Sequence, residues 1–285
     1  MNSGVSTLVP GDALRSVDSC LIRLFGLGYL RLTRDVLIHE RLRYLVWILA
    51  TLGRRGIRVL DVGCGSGMAL YYLDRFGGGI AGDYVGLDMN IERLPERWRF
   101  VYLPHTFRPV NLDEEWDFGR FDVVWCSEVI EHLLDDERLF RRLSAHLGPL
   151  GVLVITTPSR SFVERMGRFL PGFDYVSSTQ AGGHVRAGYD LEDFRRLATL
   201  CSLSLVSHAW ISPCTADDLR ARERRATPFG LVRIRLGDLR RPRSPFVVDG
   251  EPGTYAGGYY SLAVTFRRAM DEQIAAPEPM RFASL

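Results

Sequence analysis

Val59-Leu60-Asp61-Val62-Gly63-Cys64-Gly65-Ser66-Gly67 is the stretch that decides the fold. Ile57 to Val62 is a short, β-branched apolar run, and it stops in three glycines at alternate positions. A helical pattern runs from Met68 to Phe76. Glycines let main-chain atoms approach a ligand with no Cβ in the way. A strand, a glycine turn and a helix therefore read as a nucleotide-type cofactor turn, set at the carboxyl end of a strand where open parallel sheets bind ligands. The register is not that of a dinucleotide site. The third glycine of Gly-x-Gly-x-x-Gly falls here on Met68. Asp61 before alternating glycines suits a cofactor without phosphate, whose charged amino-acid part needs a nearby acid. The next strand, Tyr84 to Asp88, ends in an acid 25 positions after Gly63. An acid at that place can accept hydrogen bonds from both hydroxyls of a ribose.

Working outward, strand and helix patterns alternate. Phe100–Leu103 is a weak third strand and Phe121–Cys126 a strong fourth. The spacing predicts a helix from Glu128 to Leu147, closed by Gly148-Pro149-Leu150-Gly151, and a strand over Val152–Thr157 stopped by Pro158. Leu191–Thr199 is helical with Asp190 as N-cap, and strands come next at Leu203–Trp210 and Tyr259–Phe266. Such alternation predicts an α/β fold with a doubly wound, mostly parallel sheet. In front of it, residues 1–56 read as a polar tail and a helical cap, with Val36, Leu37, Leu42, Leu45, Val46 and Leu49 at helical spacing. The core is expected over residues 57–270, with a loose tail over 271–285. Within the core, residues 211–258 form an excursion; its first forty residues hold nine arginines and four prolines.

Composition narrows the function. Of 285 residues 46% are hydrophobic and 25% charged, as in an ordinary folded chain. A net charge of +2 does not indicate a general polyanion binder. All 36 basic residues are arginine, so no lysine can serve as a Schiff-base nucleophile or P-loop lysine. Five scattered cysteines without a Cys-x-x-Cys pair support neither a zinc ribbon nor a thioredoxin-type site, and reduced thiols in a cytoplasm are expected. No signal-peptide pattern opens the chain, and the longest apolar stretch, Tyr44–Gly53, falls well short of a membrane span.

Taken in order, these segments resemble class I S-adenosylmethionine-dependent methyltransferases over about residues 55–210. Val59–Gly67 resembles the family's first motif and Val85–Asp88 its second acidic strand end. Phe121–Val124 with Glu128–Leu133 resembles its fourth strand and the helix after it, and Leu147–Pro158 its fifth strand. Gly183-His184-Val185-Arg186 with Tyr189 is similar to the segment that opens its last helix. The resemblance implies a Rossmann-like, seven-stranded sheet with an antiparallel last strand, S-adenosylmethionine as cofactor and S-adenosylhomocysteine as product. It places Asp61, Gly63, Cys64, Gly65 and Gly67 under the methionine part, Asp88 at the ribose and Met89 beside the adenine, with Ser127 at the end of the fourth strand also lining the cofactor. Where the family has an acid near the adenine amino group, this chain has Asn111, with Asp113 as its rival.

Glu128, Glu131 and His132, together with His184, are the candidate catalytic residues. On a continuous helix Glu128 and His132 would share a face. A hydroxyl acceptor needs a base or a metal. The pattern resembles the metal-dependent subset of the family and its quinone-ring O-methyltransferases. In one reading the four side chains hold Mg, Mn or Zn; in another they form a metal-free catalytic pocket; in a third they brace the loop. His39, His105, His146 and His208 read as surface or packing residues, and Cys64 and Cys126 as small packing residues too.

The expected activity is O-methylation of a small metabolite, a natural-product, quinone, phenol or sugar tailoring step, with a small-molecule acceptor and no nucleic-acid partner. The alternatives are metal-dependent 2′-O-methylation of RNA 3′ ends and a non-catalytic cofactor-binding scaffold. The motifs leave the acceptor, the methylated atom and the oligomeric state open.

Overall fold

A computed structural model describes residues 36–94, 101–169, 183–213, 246–249 and 258–269. Its elements run α1 (Val36–Thr51), β1 (Ile57–Val62), α2 (Met68–Phe76), β2 (Ala81–Asp88), β3 (His105–Pro109), β4 (Phe121–Ser127), α3 (Asp136–Ala145), β5 (Leu147–Pro158), α4 (Arg160–Phe169), α5 (Leu191–Leu200), β6 (Leu203–Pro213), β7 (Phe246–Val248) and β8 (Tyr259–Arg268). They form one sheet in the order β3-β2-β1-β4-β5-β8-β6-β7. Strands β1 to β5 pair in parallel. β8, late in the chain, inserts antiparallel between β5 and β6. This is the expected seven-stranded, Rossmann-like pattern. An eighth short strand, β7, pairs with the outer edge of β6 and comes from the span read as an excursion.

Strand side chains alternate between two packed layers. Val59, Val123, Trp125, Val154 and Ala263 face one cluster, which α1 and α2 cover with Tyr44, Leu45, Leu49, Leu70 and Tyr72. Leu60, Val124, Cys126, Leu153 and Val264 face the other, covered by α3 and α5 with Leu139, Phe140, Leu143, Phe194 and Leu197. Helix α1 packs on α2 and β6, with Tyr44 fully buried. The one cap helix within the described residues is thus a covering helix of the sheet. The expected helix before it, residues 170–182 and the arginine-rich stretch over 214–245 lie outside the described residues.

Three expectations change. The third strand is His105–Pro109, not Phe100–Leu103; it pairs Tyr84 with His105 and Gly86 with Phe107. Phe107 fills the space above Gly86, where a Cβ would lie 2.6 Å from the ring. Gly148-Pro149-Leu150-Gly151 does not separate helix from strand but bulges within β5. Phe121 pairs Leu147 and Val123 pairs Val152, so four residues loop out, with Leu150 at φ 58°. Finally, no helix begins at Glu128. Its φ is 56°, a one-turn 3₁₀ helix covers Ile130–His132, and α3 starts only where Asp135 caps it by accepting from the Arg138 amide at 2.8 Å.

Candidate active site

The glycine loop is tied to the end of β2. The amides of Gly63 and Cys64 both donate to the Leu87 carbonyl, at 2.8 and 2.9 Å. Gly63, Gly65 and Gly67 all have positive φ, which an L side chain rarely adopts. Gly63 has a second reason: a Cβ there would lie 2.3 Å from Val129 Cγ2. The Cys64 thiol is buried against Gly86, so only the main chain of Cys64 is placed to meet a ligand. Asp61 is buried, and its Oδ2 accepts from the Tyr84 hydroxyl at 2.5 Å. Burial pushes its carboxyl up to about 7, against the pull of that hydrogen bond and with a further push from Asp88.

Asp88 closes the same crevice. Its Oδ2 accepts from the Gly65 amide and its Oδ1 from the Asn90 amide, each at 2.9 Å. Loop and acid are therefore held together before any ligand arrives. Met89, next in sequence, is 61% exposed, an apolar side chain left open beside this carboxylate. Val110 donates to the Asp88 carbonyl at 3.1 Å, which puts Asn111 one residue beyond the crevice rim. Asn111 spends its amide locally, accepting from the Asp113 amide and donating to Glu114, both at 3.1 Å, while Asp113 is exposed.

After β4, Glu131 and His132 converge with His184. One donor atom from each lies within 4.8 Å of the other two. The imidazoles of His132 and His184 meet edge to face at 4.4 Å. The loop that brings His184 is clasped to the turn after β4. Val185 donates to the Glu131 carbonyl at 2.9 Å, and Arg186 donates to the carbonyls of Leu133 and Leu134 and pairs with Asp136 at 3.4 Å. The Tyr189 hydroxyl donates to Asp136 at 3.0 Å. His132 Nδ1 sits 3.2 Å from the Gly183 carbonyl, and the tautomer that donates there leaves the Nε2 lone pair free.

Glu131 is fully buried. Thr157 donates to its Oε2 at 3.2 Å, and its Oε1 has no hydrogen-bond partner among the described residues. Burial, and then the Glu128 charge, hold this carboxyl well above the ordinary range. Burial, and then His132, bring the His184 imidazole down to about 4, so it is neutral near pH 7. Two imidazoles and a carboxylate oxygen lacking a partner are a donor set that fits a divalent ion.

Glu128 stands apart from this group because the expected helix is absent. Its Oε2 pairs with Arg41 of α1 at 3.0 Å, and its Oε1 accepts from Thr156 at 3.2 Å and Ser261 of β8 at 3.3 Å. Ser127 reaches the same network through Thr156, at 2.8 Å. Arg41 and Ser261 carry no signal in the sequence, and Thr156, Thr157 and Arg186 lie in matched segments without standing out there as site residues; their partners become visible only in the fold. Among the histidines read as packing, His146 is buried between the Arg142 carbonyl and the Phe118 amide, and His105 bonds the Leu103 carbonyl. The side chain of His39 lies outside the described set.

A family model described as a methyltransferase domain matches residues 30–225, most of the chain. A ubiquinone biosynthesis O-methyltransferase of Bradyrhizobium diazoefficiens is 32% identical over 124 residues, 42% of this chain and 47% of that protein. One from Xanthomonas axonopodis is 28% identical over 165 residues, 52% of this chain and 69% of that protein. The chain spans about half the length of most of the curated relatives it matches. In structure, an S-adenosylmethionine-dependent methyltransferase of Clostridium acetobutylicum superposes with a TM-score of 0.53 at 10% identity, covering 89% of this chain and 98% of that one. A glycine loop after β1, an acid at the end of β2 and a family match across both make this chain a member of the class I S-adenosylmethionine-dependent methyltransferases.

Proposed function

We propose that this enzyme methylates a hydroxyl oxygen of a small metabolite of the phenol, quinol or sugar class. The observation that carries the reading is the meeting of Glu131, His132 and His184, the first two in the turn after β4, at the end of the sheet that carries the glycine loop. The activity for which the curated relatives are named, O-methylation in ubiquinone biosynthesis, supports it.

Bound S-adenosylmethionine supplies an electrophilic methyl group on a sulfonium. The chain's own part is to orient, to exclude water and to deal with the acceptor proton. A hydroxyl near its ordinary pKa is a weak nucleophile. His184 is neutral near pH 7 and can take that proton as the oxygen forms its bond to carbon. In the alternative metal-dependent reading, Glu131, His132 and His184 would instead hold a divalent ion that would polarise an acceptor oxygen, and His184 would then be a ligand and not the base. Glu128, held by Arg41, Thr156 and Ser261, keeps the wall of the crevice in place.

The test offers methyl-labelled cofactor with catechols, quinols and sugars in one arm and RNA in the other, with and without chelator. Label is expected in an O-methylated small molecule, lost in His184→Ala. Label confined to RNA 3′ ends moves the activity to RNA 2′-O-methylation. Full activity of His184→Ala and of Glu131→Gln overturns the assignment of the cluster.

A further inference from the structure

Tyr84 lies within β2, four residues before the acidic strand end, and is fully buried. Its ring is fixed edge to face against Phe107 at 5.9 Å. Nothing about it suggests ligand contact. Its hydroxyl nevertheless crosses to the neighbouring strand and donates to Asp61, the acid that opens the glycine loop, at 2.5 Å. The backbone of Leu70 in α2 faces the same hydroxyl, so β1, β2 and the helix after the loop meet there.

We propose that Tyr84 is a positioning residue for the cofactor: its hydroxyl aims the Asp61 carboxyl at the cofactor's ammonium group. The proposal rests on the Asp61–Gly67 loop holding the methionine part of the cofactor. Tyr84 remains a donor throughout the working range, because burial and the Asp61 charge hold its phenol far above the ordinary value. Among the described residues, the titratable groups that face Asp61 are Tyr84 and Asp88 from β2, Cys64 from the loop and Cys126 from β4. All are acidic, and none supplies a positive charge. Among the described residues the Tyr84 hydrogen bond favours the ionised form, against burial and Asp88. Without it the acid is protonated at neutral pH and offers an incoming ammonium group only a neutral carboxyl.

The test is calorimetric binding of S-adenosylhomocysteine from pH 6 to 9 to the wild type, Tyr84→Phe, Asp61→Asn and the double variant. Differences from Asp61→Asn at each pH remove the ligand's own titration. Wild-type affinity, read this way, is expected to rise with pH through an inflection near 7. In Tyr84→Phe the inflection is displaced upward, and binding at pH 7 is weakened about tenfold for each pH unit of displacement. In the Asp61→Asn background, Tyr84→Phe is expected to add nothing. A flat wild-type curve overturns the proposal with no variant needed. So does a Tyr84→Phe curve lowered by one factor at every pH, or an equal loss in the Asp61→Asn background, since both mark a packing role. Asp61→Asn binding as tightly as the wild type at every pH overturns instead the placement of the cofactor on this loop.

Discussion

At Glu128 one carboxylate receives donors from three distant parts of the chain: Arg41 of α1, Thr156 of β5 and Ser261 of β8. It does so from a positive φ, which costs a non-glycine residue about 1 kcal/mol or more. Arg41→Met leaves this carboxylate largely buried with its charge unmatched. We expect roughly 2 kcal/mol of lost stability and a fall in kcat/KM, partly restored in Arg41→Met/Glu128→Gln, read by thermal melting and initial rates. Gly63→Ala combines a strained φ with a Cβ driven into Val129. A loss of about 2–4 kcal/mol is expected, seen as a lower midpoint in urea. The sequence marks Gly63 as a place where main chain can come close to a ligand. The approach the structure shows there is to Val129, which was not legible, because that contact depends on the turn after β4.

Among the elements, α5 shows how local chemistry makes a boundary readable. Asp190 accepts from the Glu192 and Asp193 amides, each at 3.0 Å, and Asp193 accepts in turn from the Asp190 amide at 2.9 Å. This capping box acts within four residues, so the sequence predicts it directly. Asp190→Ala should cost about 1 kcal/mol and lower Tm by roughly 2–4 °C; it also removes one of the two carboxylates that pair with Arg160, the other being Asp193. The turn after β4 is the opposite case. Glu128 to Leu147 has helical spacing, yet Ile130 is drawn fully into the sheet-facing core and Asp135 restarts the helix. Tertiary burial beats local period there. For the same reason Glu131, His132 and His184 converge while Glu128 does not. The third strand was misplaced because its partner, the space above Gly86, is invisible in the local pattern.

For the molecule as a whole, the parallel pairing of β1 to β5 was legible from alternation and glycine punctuation, and the antiparallel direction of β8 only from family resemblance; the strand order, with β8 between β5 and β6, comes from the structure alone. The alternation puts the glycine loop, Asp88 and the turn after β4 at one end of the sheet, where parallel sheets bind ligands. The buried Asp61 then couples that end to global stability. Its carboxyl titrates near 7 in the folded chain against an ordinary 3.8. Between those values the folded state keeps a proton that the unfolded state has released. Its contribution is therefore complete at pH below about 4 and lost as pH rises through about 7, by an amount on the order of a few kcal/mol. Denaturation of the cofactor-free protein at pH 5 and pH 8 should show this loss in the wild type and not in Asp61→Asn. A loss of equal size in both would place its origin elsewhere.

The antiparallel strand between β5 and β6 bears on how the enzyme is made. Synthesis runs from the amino end, so every other strand leaves the ribosome before β8 does. Until residues 259–268 emerge, β5 has an open edge and β6 has no place in the sheet. Ser261 also arrives then, and with it the last of the three donors to Glu128. A nascent chain halted before β8 thus carries the glycine loop and both acids yet lacks a closed crevice wall, and activity begins only once translation has passed this strand.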